Sequence, residues 1–297
     1  MSVGSIIQVL IQSLALGMLY VLMVLGLDII LRVSRVGNFA HGQFFMVGAY
    51  VFYFAYVVLK LPFLVGLLLA VLILFLMGCI SYMAIFDRVQ QQFKRDTAMS
   101  HRVFMSAMAS LGLMMVISQG ALLGFGSTPK DMPSVFPQIL VVGDVRIIVE
   151  RLVIVVVSLI VLYGLYLLMS KTKLGKSMRA VSMDAEVGSL YGVDARRTYL
   201  LGFALGCALA GVAGVLVAPV WGVTTDMGDQ MVFSSMMVWM VGGIGSYKGA
   251  VLSGMVVGEV LGVGNYFIGG YADLVLFVVI IAILVIKPGG FFGEAHD

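Results

Sequence analysis

The sequence predicts an all-α fold, a polytopic bundle of transmembrane helices, and two features of its composition carry that prediction. Hydrophobic residues make up 61% of the 297 residues, enough for about nine segments of the ~20 apolar residues that a membrane-spanning helix needs. Charged residues make up only 11%, against roughly 25% in an ordinary soluble domain. This composition excludes soluble enzymes, disordered proteins and nucleic-acid-binding proteins as the main interpretation.

Apolar segments of spanning length follow one another along the whole chain, which we treat as a single integral membrane domain over residues 1–297. The predicted spans are 6–31, 39–59, 62–86, 103–124, 151–170, 198–218, 231–245, 249–268 and 271–287. The segment 231–245 is short and ends in glycines, so it is either a full span or half of a re-entrant pair, and the total is eight or nine. Small residues at every fourth position favour close helix packing in two later spans, with Gly202, Gly206 and Gly214 in one and Gly254, Gly258 and Gly262 in the other.

Lysine and arginine are distributed unevenly between the two sides of this arrangement. With nine spans, fourteen of the 18 basic residues fall on one side, and the positive-inside rule assigns that side to the cytoplasm. The N-terminus is then outside and the C-terminus inside. Two loops are long, the outer one at about 125–150 and the inner one at about 171–197. Two short apolar runs around Gly143-Asp144 predict a β-hairpin in the outer loop.

No residue pattern predicts catalysis or a metal site. The three histidines, His41, His101 and His296, are far apart in the sequence. Gly175-Lys176-Ser177 lacks the preceding glycine and strand of a phosphate-binding loop. Energy for active transport would therefore come from ions or from a partner protein.

The inner loop contains a segment with helical composition. In a helix over 178–191, Met183, Val187 and Leu190 lie on one face, and charged residues border this apolar stripe: Arg179, Asp184 and Glu186. A narrow apolar stripe suits a helix bound in the groove of a cytosolic partner. A helix lying on lipid headgroups fits the residues equally well. Asp194 is placed to cap the span that follows.

Two apolar regions are broken by glycine, at 35–43 and at 242–249. Interrupted helices in a transporter indicate a translocation site, because free helix ends offer hydrogen-bonding groups to a polar solute. Asn38, His41 and Gln43 supply donors and acceptors in the first region. The alternative for each region is a tight turn between spans at the cytoplasmic surface.

Glu259 is an acidic residue inside an apolar segment. A carboxylate there is costly in lipid, so it should face protein or water. It lines the solute path, hydrogen-bonds to a neighbouring helix, or stays protonated. Asp28 lies nearer a span end, where Arg32 at i+4 is its expected partner.

Several blocks of the chain resemble the permease subunits of the branched-chain amino-acid class of bacterial ABC importers, and the shorter of the two permeases in particular. The matching blocks, in the family's order, are 36–43 with 48–50, 175–193, 202–214, 241–250 and 287–290. The segment 87–103 does not match the arginine- and proline-containing segment typical of the family.

This resemblance implies a heteromeric importer in the bacterial inner membrane. A second homologous permease would complete the pore, two cytosolic ATPases would hold ATP and Mg, and a periplasmic binding protein would deliver the solute. The chain itself would need no cofactor. Segment 175–193 would be the coupling helix, with Arg179, Asp184 and Glu186 meeting the ATPase and Gly192 ending the helix as a left-handed cap.

The sequence does not determine the cargo, and it leaves two alternative functions possible. Close relatives within the family import urea and short-chain amides, and nothing in the sequence separates these from amino acids. An ion-coupled secondary carrier is disfavoured because the spans contain few ionisable groups. A purely structural membrane subunit is the remaining alternative.

Overall fold

The computed structural model describes residues 3–92, 99–142, 145–243, 245–287 and 289–292. Predictions that concern 93–98, the hairpin turn 143–144, Ile244, Pro288 and His296 lie outside these residues. Within them, the chain is built almost entirely from helices, which confirms the predicted all-α polytopic class.

The helices follow one another, most of them with short connections. They are α1 (Val3–Ser34), α2 (His41–Tyr53), α3 (Phe63–Ser81), α4 (Asp87–Gln92), α5 (Met99–Phe125), α6 (Val149–Lys171), α7 (Lys173–Met183), α8 (Ala185–Leu190), α9 (Ala195–Trp221), α10 (Met227–Gly242), α11 (Tyr247–Ile268) and α12 (Ala272–Ile286). Short π-helical turns extend α2 over Phe54–Val58 and join α3 to α4 over Tyr82–Phe86, and a 3₁₀ turn, Gly269–Tyr271, joins α11 to α12.

Seven helical runs in the described part of the chain are long and apolar enough to cross a membrane. The run from Tyr247 to Ile286 has 40 residues, about 60 Å at 1.5 Å per residue, which is twice the ~30 Å hydrocarbon core. Because α11 and α12 pack against each other within this run, it accounts for both predicted spans 249–268 and 271–287. The 16 residues of α10 extend only about 24 Å, so α10 is shorter than the hydrocarbon core.

The chain forms two compact units. The first consists of Met1–Leu25, Pro133–Val161 and Phe233–Asp297, and the second of Gly26–Met132 and Leu162–Val232. The following paragraphs describe each unit separately.

Small residues bring α1 and α11 into close contact in the first unit. A Cβ atom on Gly254 would lie 2.7 Å from a methyl carbon of Val21, and Cβ atoms on Gly258 and Gly262 would overlap Gly17 and Ser13, respectively. Residues at every fourth position of one helix therefore face residues at every fourth position of the other, in antiparallel order. Such close backbone approach is how helices gain packing energy in lipid, where the hydrophobic effect between helices is absent.

The core of the second unit forms around α9, which packs against α2 and α3. A Cβ on Gly202 would lie 2.6 Å from Val33, one on Gly206 would lie 2.5 Å from Ile30, and one on Gly214 would overlap the carbonyl oxygen of Phe45. The fully buried Phe203 also contacts the rings of Phe44, Tyr82 and Phe86, at centroid distances of 6.2, 5.8 and 4.8 Å.

The predicted hairpin is present in the first unit. Strand β1 (Ile139–Val142) pairs antiparallel with β2 (Val145–Ile148), and Ile139 lies opposite Ile148. The segment before the hairpin is attached to the start of α6 by Glu150, whose Oε1 accepts hydrogen bonds from Ser134 Oγ and Val135 N, both at 2.7 Å.

The contact between Gly258 and Gly17 predicts a strong effect of a single methyl group. Gly258→Ala should destabilise the protein by about 1–3 kcal/mol, because the new Cβ meets backbone atoms that cannot rotate away. Gly120→Ala is the matched control, since a Cβ at Gly120 has no neighbouring atom within 4 Å and alanine favours helix. Thermal unfolding in detergent measures both, and equal melting temperatures would contradict the packing described here.

Candidate functional site

The segment 35–40 joins α1 to α2 without forming a helix, as predicted for the first glycine-broken region. Arg35 adopts φ 55°, which ends α1. Gly37 N and Phe39 N donate hydrogen bonds to Ser106 Oγ at 3.0 Å and Ser110 Oγ at 2.9 Å. Amide groups in a membrane need such partners, so two serines of α5 allow the chain to remain non-helical here.

The position of these serines shows how deep the segment reaches. Ser110 lies 11 residues beyond the start of the 27-residue helix α5, about 16 Å along its axis. Phe39 is bonded to Ser110 and precedes α2 by two residues. Helix α2 therefore starts about halfway along α5 and not beside either of its ends, which makes α2 a discontinuous transmembrane helix.

The structure brings three of the predicted path residues together at this start. Asn38 is 3% exposed, and His41 and Gln43 are fully buried. The Cε1 atom of His41 packs against Gly26, where a Cβ would lie 2.8 Å away. Three of their side-chain atoms have no hydrogen-bond partner among the described residues: Nδ2 and Oδ1 of Asn38 and Oε1 of Gln43. This concentration of buried polar groups is unusual, because such groups are normally paired.

Asp229 is a site residue that the sequence analysis missed. Its Oδ1 accepts a hydrogen bond from Gln43 Nε2. The predicted span 231–245 excluded it, whereas α10 starts four residues earlier, at Met227. Asp229 precedes the predicted span 231–245 by two positions, and this acidic residue beside a short apolar segment was the signal that could have indicated the site.

Glu259, the fourth predicted path residue, lies on α11 in the first unit. It is half-buried, and its Oε2 has no hydrogen-bond partner in the described part of the chain. Its role in the path stays a prediction.

The second glycine-broken region separates α10 from α11 in the first unit, again as predicted. Gly243 and Gly245 adopt φ values of 91° and 86°, and Ser246 Oγ caps α11 by accepting a hydrogen bond from Gly249 N at 3.1 Å. The last carbonyl groups of α10 accept hydrogen bonds from the C-terminal segment, Val241 O from Phe291 N at 2.8 Å and Gly242 O from Phe292 N at 3.2 Å.

The predicted continuous helix over 178–191 is wrong. Asp184 has an extended backbone, φ −151° and ψ 116°, and separates α7 from α8. Its Oδ1 accepts hydrogen bonds from Glu186 N at 2.8 Å and Val187 N at 3.1 Å. Aspartate competes well for free amides and favours a helix start over a helix interior, which the apolar periodicity alone did not reveal.

Both ends of the following connection are capped as predicted. Gly192 adopts φ 79°, and Gly192 N and Val193 N bond back to Ser189 O and Gly188 O, the pattern of a Schellman motif. Asp194 Oδ1 accepts a hydrogen bond from Arg197 N at 3.0 Å and starts α9.

The apolar side chains of this loop point into solvent. Met183 and Leu190 are 86% and 84% exposed, Tyr191 is 84% exposed, and Val187 is 48% exposed. Met183 belongs to α7, whereas Val187 and Leu190 belong to α8, so the predicted apolar stripe is divided between two helices. The predicted charged neighbours are exposed as well, and the Arg179 guanidinium donates to the carbonyl oxygen of Met169 in α6.

A polar network connects this loop to the interrupted segment within the second unit. Arg35 donates to the carbonyl oxygen of Ser182, in the last turn of α7. Ser34 Oγ also donates to Tyr199 O at 2.6 Å. The residues that flank the break between α1 and α2 are thus bonded to both α7 and α9.

The segment 87–103, predicted as a loop of open role, is helical at both described ends, in α4 and at the start of α5. Asp87 forms an ion pair with Arg196 of α9 at 2.5 Å and accepts a hydrogen bond from Gln91 at 2.9 Å. Asp28 and Arg32 pair as predicted, at 3.8 Å.

Comparisons with known proteins point to one family. Residues 9–284 match the family model described as the permease component of the branched-chain amino acid transport system. The high-affinity branched-chain amino acid transport system permease protein BraD of Pseudomonas aeruginosa is 29% identical, over 97% of this chain and 96% of its own. The LivH permease protein of the same description from Salmonella typhimurium is 26% identical over the same shares. A probable LivH protein of Methanocaldococcus jannaschii is 29% identical over 93% of this chain and 89% of its own.

The cap at Asp184 makes a local prediction. Asp184→Ala removes two acceptor bonds and should cost about 1 kcal/mol in α8, so the amides of Glu186 and Val187 should exchange with deuterium about fivefold faster. Glu186→Gln is the control, because it changes the charge of the same turn and leaves the cap in place. Unchanged exchange in Asp184→Ala would contradict the capping role.

Proposed function

Because this chain belongs to the family of permease components of branched-chain amino acid transport systems, we propose that it is the permease subunit of an ATP-driven importer of branched-chain amino acids. The relatives' names supply the cargo class. The interrupted helix at 35–40, with its buried polar groups, supports a path for a polar solute through this multi-pass membrane protein.

The proposed assembly contains four kinds of subunit. This chain forms half of the path and a second homologous permease forms the other half. Two cytosolic ATPases bind ATP and Mg and carry out the hydrolysis, so this chain holds neither. A periplasmic binding protein delivers the amino acid. The chain lies in the bacterial inner membrane with its N-terminus in the periplasm and its C-terminus in the cytoplasm, the orientation that the lysine and arginine distribution favours.

The single observation that best supports ATPase docking is the exposure of apolar residues between α7 and α9. Met183, Leu190 and Tyr191 are each more than four-fifths exposed on a segment that is otherwise rich in charge. Apolar and aromatic side chains that enter pockets of a partner provide most of the binding energy in protein interfaces. In this proposal α8, capped at both ends, enters a groove of the ATPase as one rigid piece.

The hydrogen bonds of Arg35 supply a route from the ATPase to the path. When the ATPases close on ATP, they displace α7 and α8. Arg35 links α7 to the segment that precedes α2, so that displacement reaches the buried polar residues at the start of α2. A cycle of this kind works if the solute binds the two resulting conformations with different affinity.

Co-purification and transport test the proposed function together. The tagged chain, extracted gently from its native membrane, should bring a second permease and two ATPases. Reconstituted with the periplasmic binding protein, the complex should accumulate leucine only with ATP, and urea and short-chain amides are tested beside it. Recovery of the chain alone, with solute transport in ATP-free vesicles under an ion gradient, would overturn the proposal in favour of a secondary carrier.

The docking surface makes a prediction that one residue can test. Leu190→Glu should reduce the amount of ATPase that co-purifies at least tenfold, because a buried carboxylate replaces an apolar anchor. Leu190→Met is the control and should keep binding within twofold, since methionine fills the same pocket without charge. Equal ATPase recovery in both variants would remove Leu190 from the interface.

A further inference from the structure

The starts of two helices, α2 and α10, lie against one another in the second unit. The carbonyl oxygen of Gly228 occupies the place that a Cβ on Gly42 would need, and a Cβ on Gly228 would lie 2.9 Å from the carbonyl carbon of Gly42. The two backbones meet at these glycines because a side chain on either one would separate the helices. No side chain caps α2, whose N-cap residue is Ala40.

This meeting point lies about halfway along α5, a helix long enough to cross a membrane. Helix α2 starts about halfway along α5, and α10 starts after the turn that follows α9. Each helix N-terminus carries a partial positive charge from the aligned peptide dipoles of the helix. Two such ends at one place favour an anionic group there, as in transporters whose broken helices point at a substrate carboxylate.

The side chains around the meeting point are polar, buried and incompletely paired. Gln43 is fully buried, and its unpaired Oε1 would lie 3.2 Å from a Cβ on Gly228, so it faces the junction. Asn38, 3% exposed, has two unpaired polar atoms. A buried polar group without a hydrogen-bond partner destabilises the folded protein. These atoms can therefore form hydrogen bonds with a bound solute, because no described residue occupies them.

The junction also contains acceptors for a cation. Gln43 donates its Nε2 hydrogen to Asp229 Oδ1, which orients the carboxylate of Asp229 and turns Gln43 Oε1 toward Gly228. Apolar residues adjoin these groups, since Met227 and Val232 are buried beside them. The region thus combines donors, acceptors and an apolar wall.

We propose that this junction, formed by Asn38, Gly42, Gln43, Gly228 and Asp229, binds the zwitterionic head of a transported α-amino acid. The two helix N-termini and Asn38 Nδ2 donate to the α-carboxylate. Asp229 and Gln43 Oε1 accept from the α-ammonium, and the apolar side chain of the solute lies beside Met227 and Val232. This inference rests on the proposed function and names the residues that would hold its cargo.

Transport by the complete importer in proteoliposomes tests the site. Asp229→Asn and Gln43→Leu should each reduce ATP-driven leucine uptake at least tenfold, since each weakens or removes a hydrogen bond to the charged ammonium group, and such bonds are stronger than those between neutral groups. ATP hydrolysis stimulated by the leucine-loaded binding protein should stay within twofold of wild type. Asp226→Asn and Gln230→Leu are the matched controls, because both residues are exposed on the same segment, and they should leave uptake unchanged.

A binding measurement in the complete complex separates contact with the cargo from a structural role. Leucine should slow the reaction of the thiol introduced by Met227→Cys, a position that makes no proposed hydrogen bond to the cargo, with a methanethiosulfonate reagent at least threefold. Leucinol, which lacks the carboxylate, should not. Equal protection by leucine and leucinol, or none by either, would overturn carboxylate binding at the junction.

The outcomes also distinguish the site from the function on which it rests. A wild-type complex that imports urea or amides but no amino acid would overturn the proposed cargo, and this site with it. Leucine import that survives both junction substitutions would overturn the site alone. Loss of stimulated ATP hydrolysis together with uptake would assign Gln43 and Asp229 to the coupling of the subunits and not to the cargo.

Discussion

The hydroxyl groups of Ser106 and Ser110 bind the non-helical backbone between α1 and α2, and the arrangement of the second unit depends on these hydrogen bonds. A non-helical backbone within a membrane leaves amide groups without partners, at a cost of several kcal/mol each. Ser106 Oγ accepts a hydrogen bond from the amide of Gly37, and Ser110 Oγ accepts one from the amide of Phe39. Each hydroxyl group also donates a hydrogen bond to a carbonyl group of α5 at 2.7 Å. Because these amides find partners locally, α2 can start about halfway along α5, a helix long enough to cross a membrane.

Glycine performs the complementary task of bringing backbones together. In both units, glycines at every fourth position of one helix admit the neighbouring helix to backbone contact. This packing is dense and resists small changes, since interiors of this kind are not continuously deformable. A displacement of α7 would therefore be transmitted through such packing more readily than it is absorbed, as the proposed coupling to an ATPase requires.

The apolar segments and their approximate number were predictable from composition and periodicity, as were the hairpin at 139–148, the caps at Gly192 and Asp194, and the breaks near residues 37 and 243. These features depend on local chemistry. The break at Asp184 and the site residue Asp229 were not predicted, for different reasons. At Asp184 the helical periodicity of Met183, Val187 and Leu190 competed with the preference of aspartate for a helix start, and a sequence pattern does not rank the two. Asp229 gains its place from Gln43, 186 residues away in the chain, and no local pattern encodes that contact.

The C-terminal segment has a consequence for handling the protein. Phe291 N and Phe292 N complete the last turn of α10, and Lys287 Nζ donates to Phe291 O at 3.0 Å, which holds this tail in place. The tail thus forms a clasp, by which we mean that its two amides bind carbonyl groups of α10 that lie 50 residues earlier in the sequence. An affinity tag joined after Phe292 leaves the clasp closed, whereas a truncation before Phe291 strips two carbonyl groups of their partners and frees the end of the helix that begins at Met227.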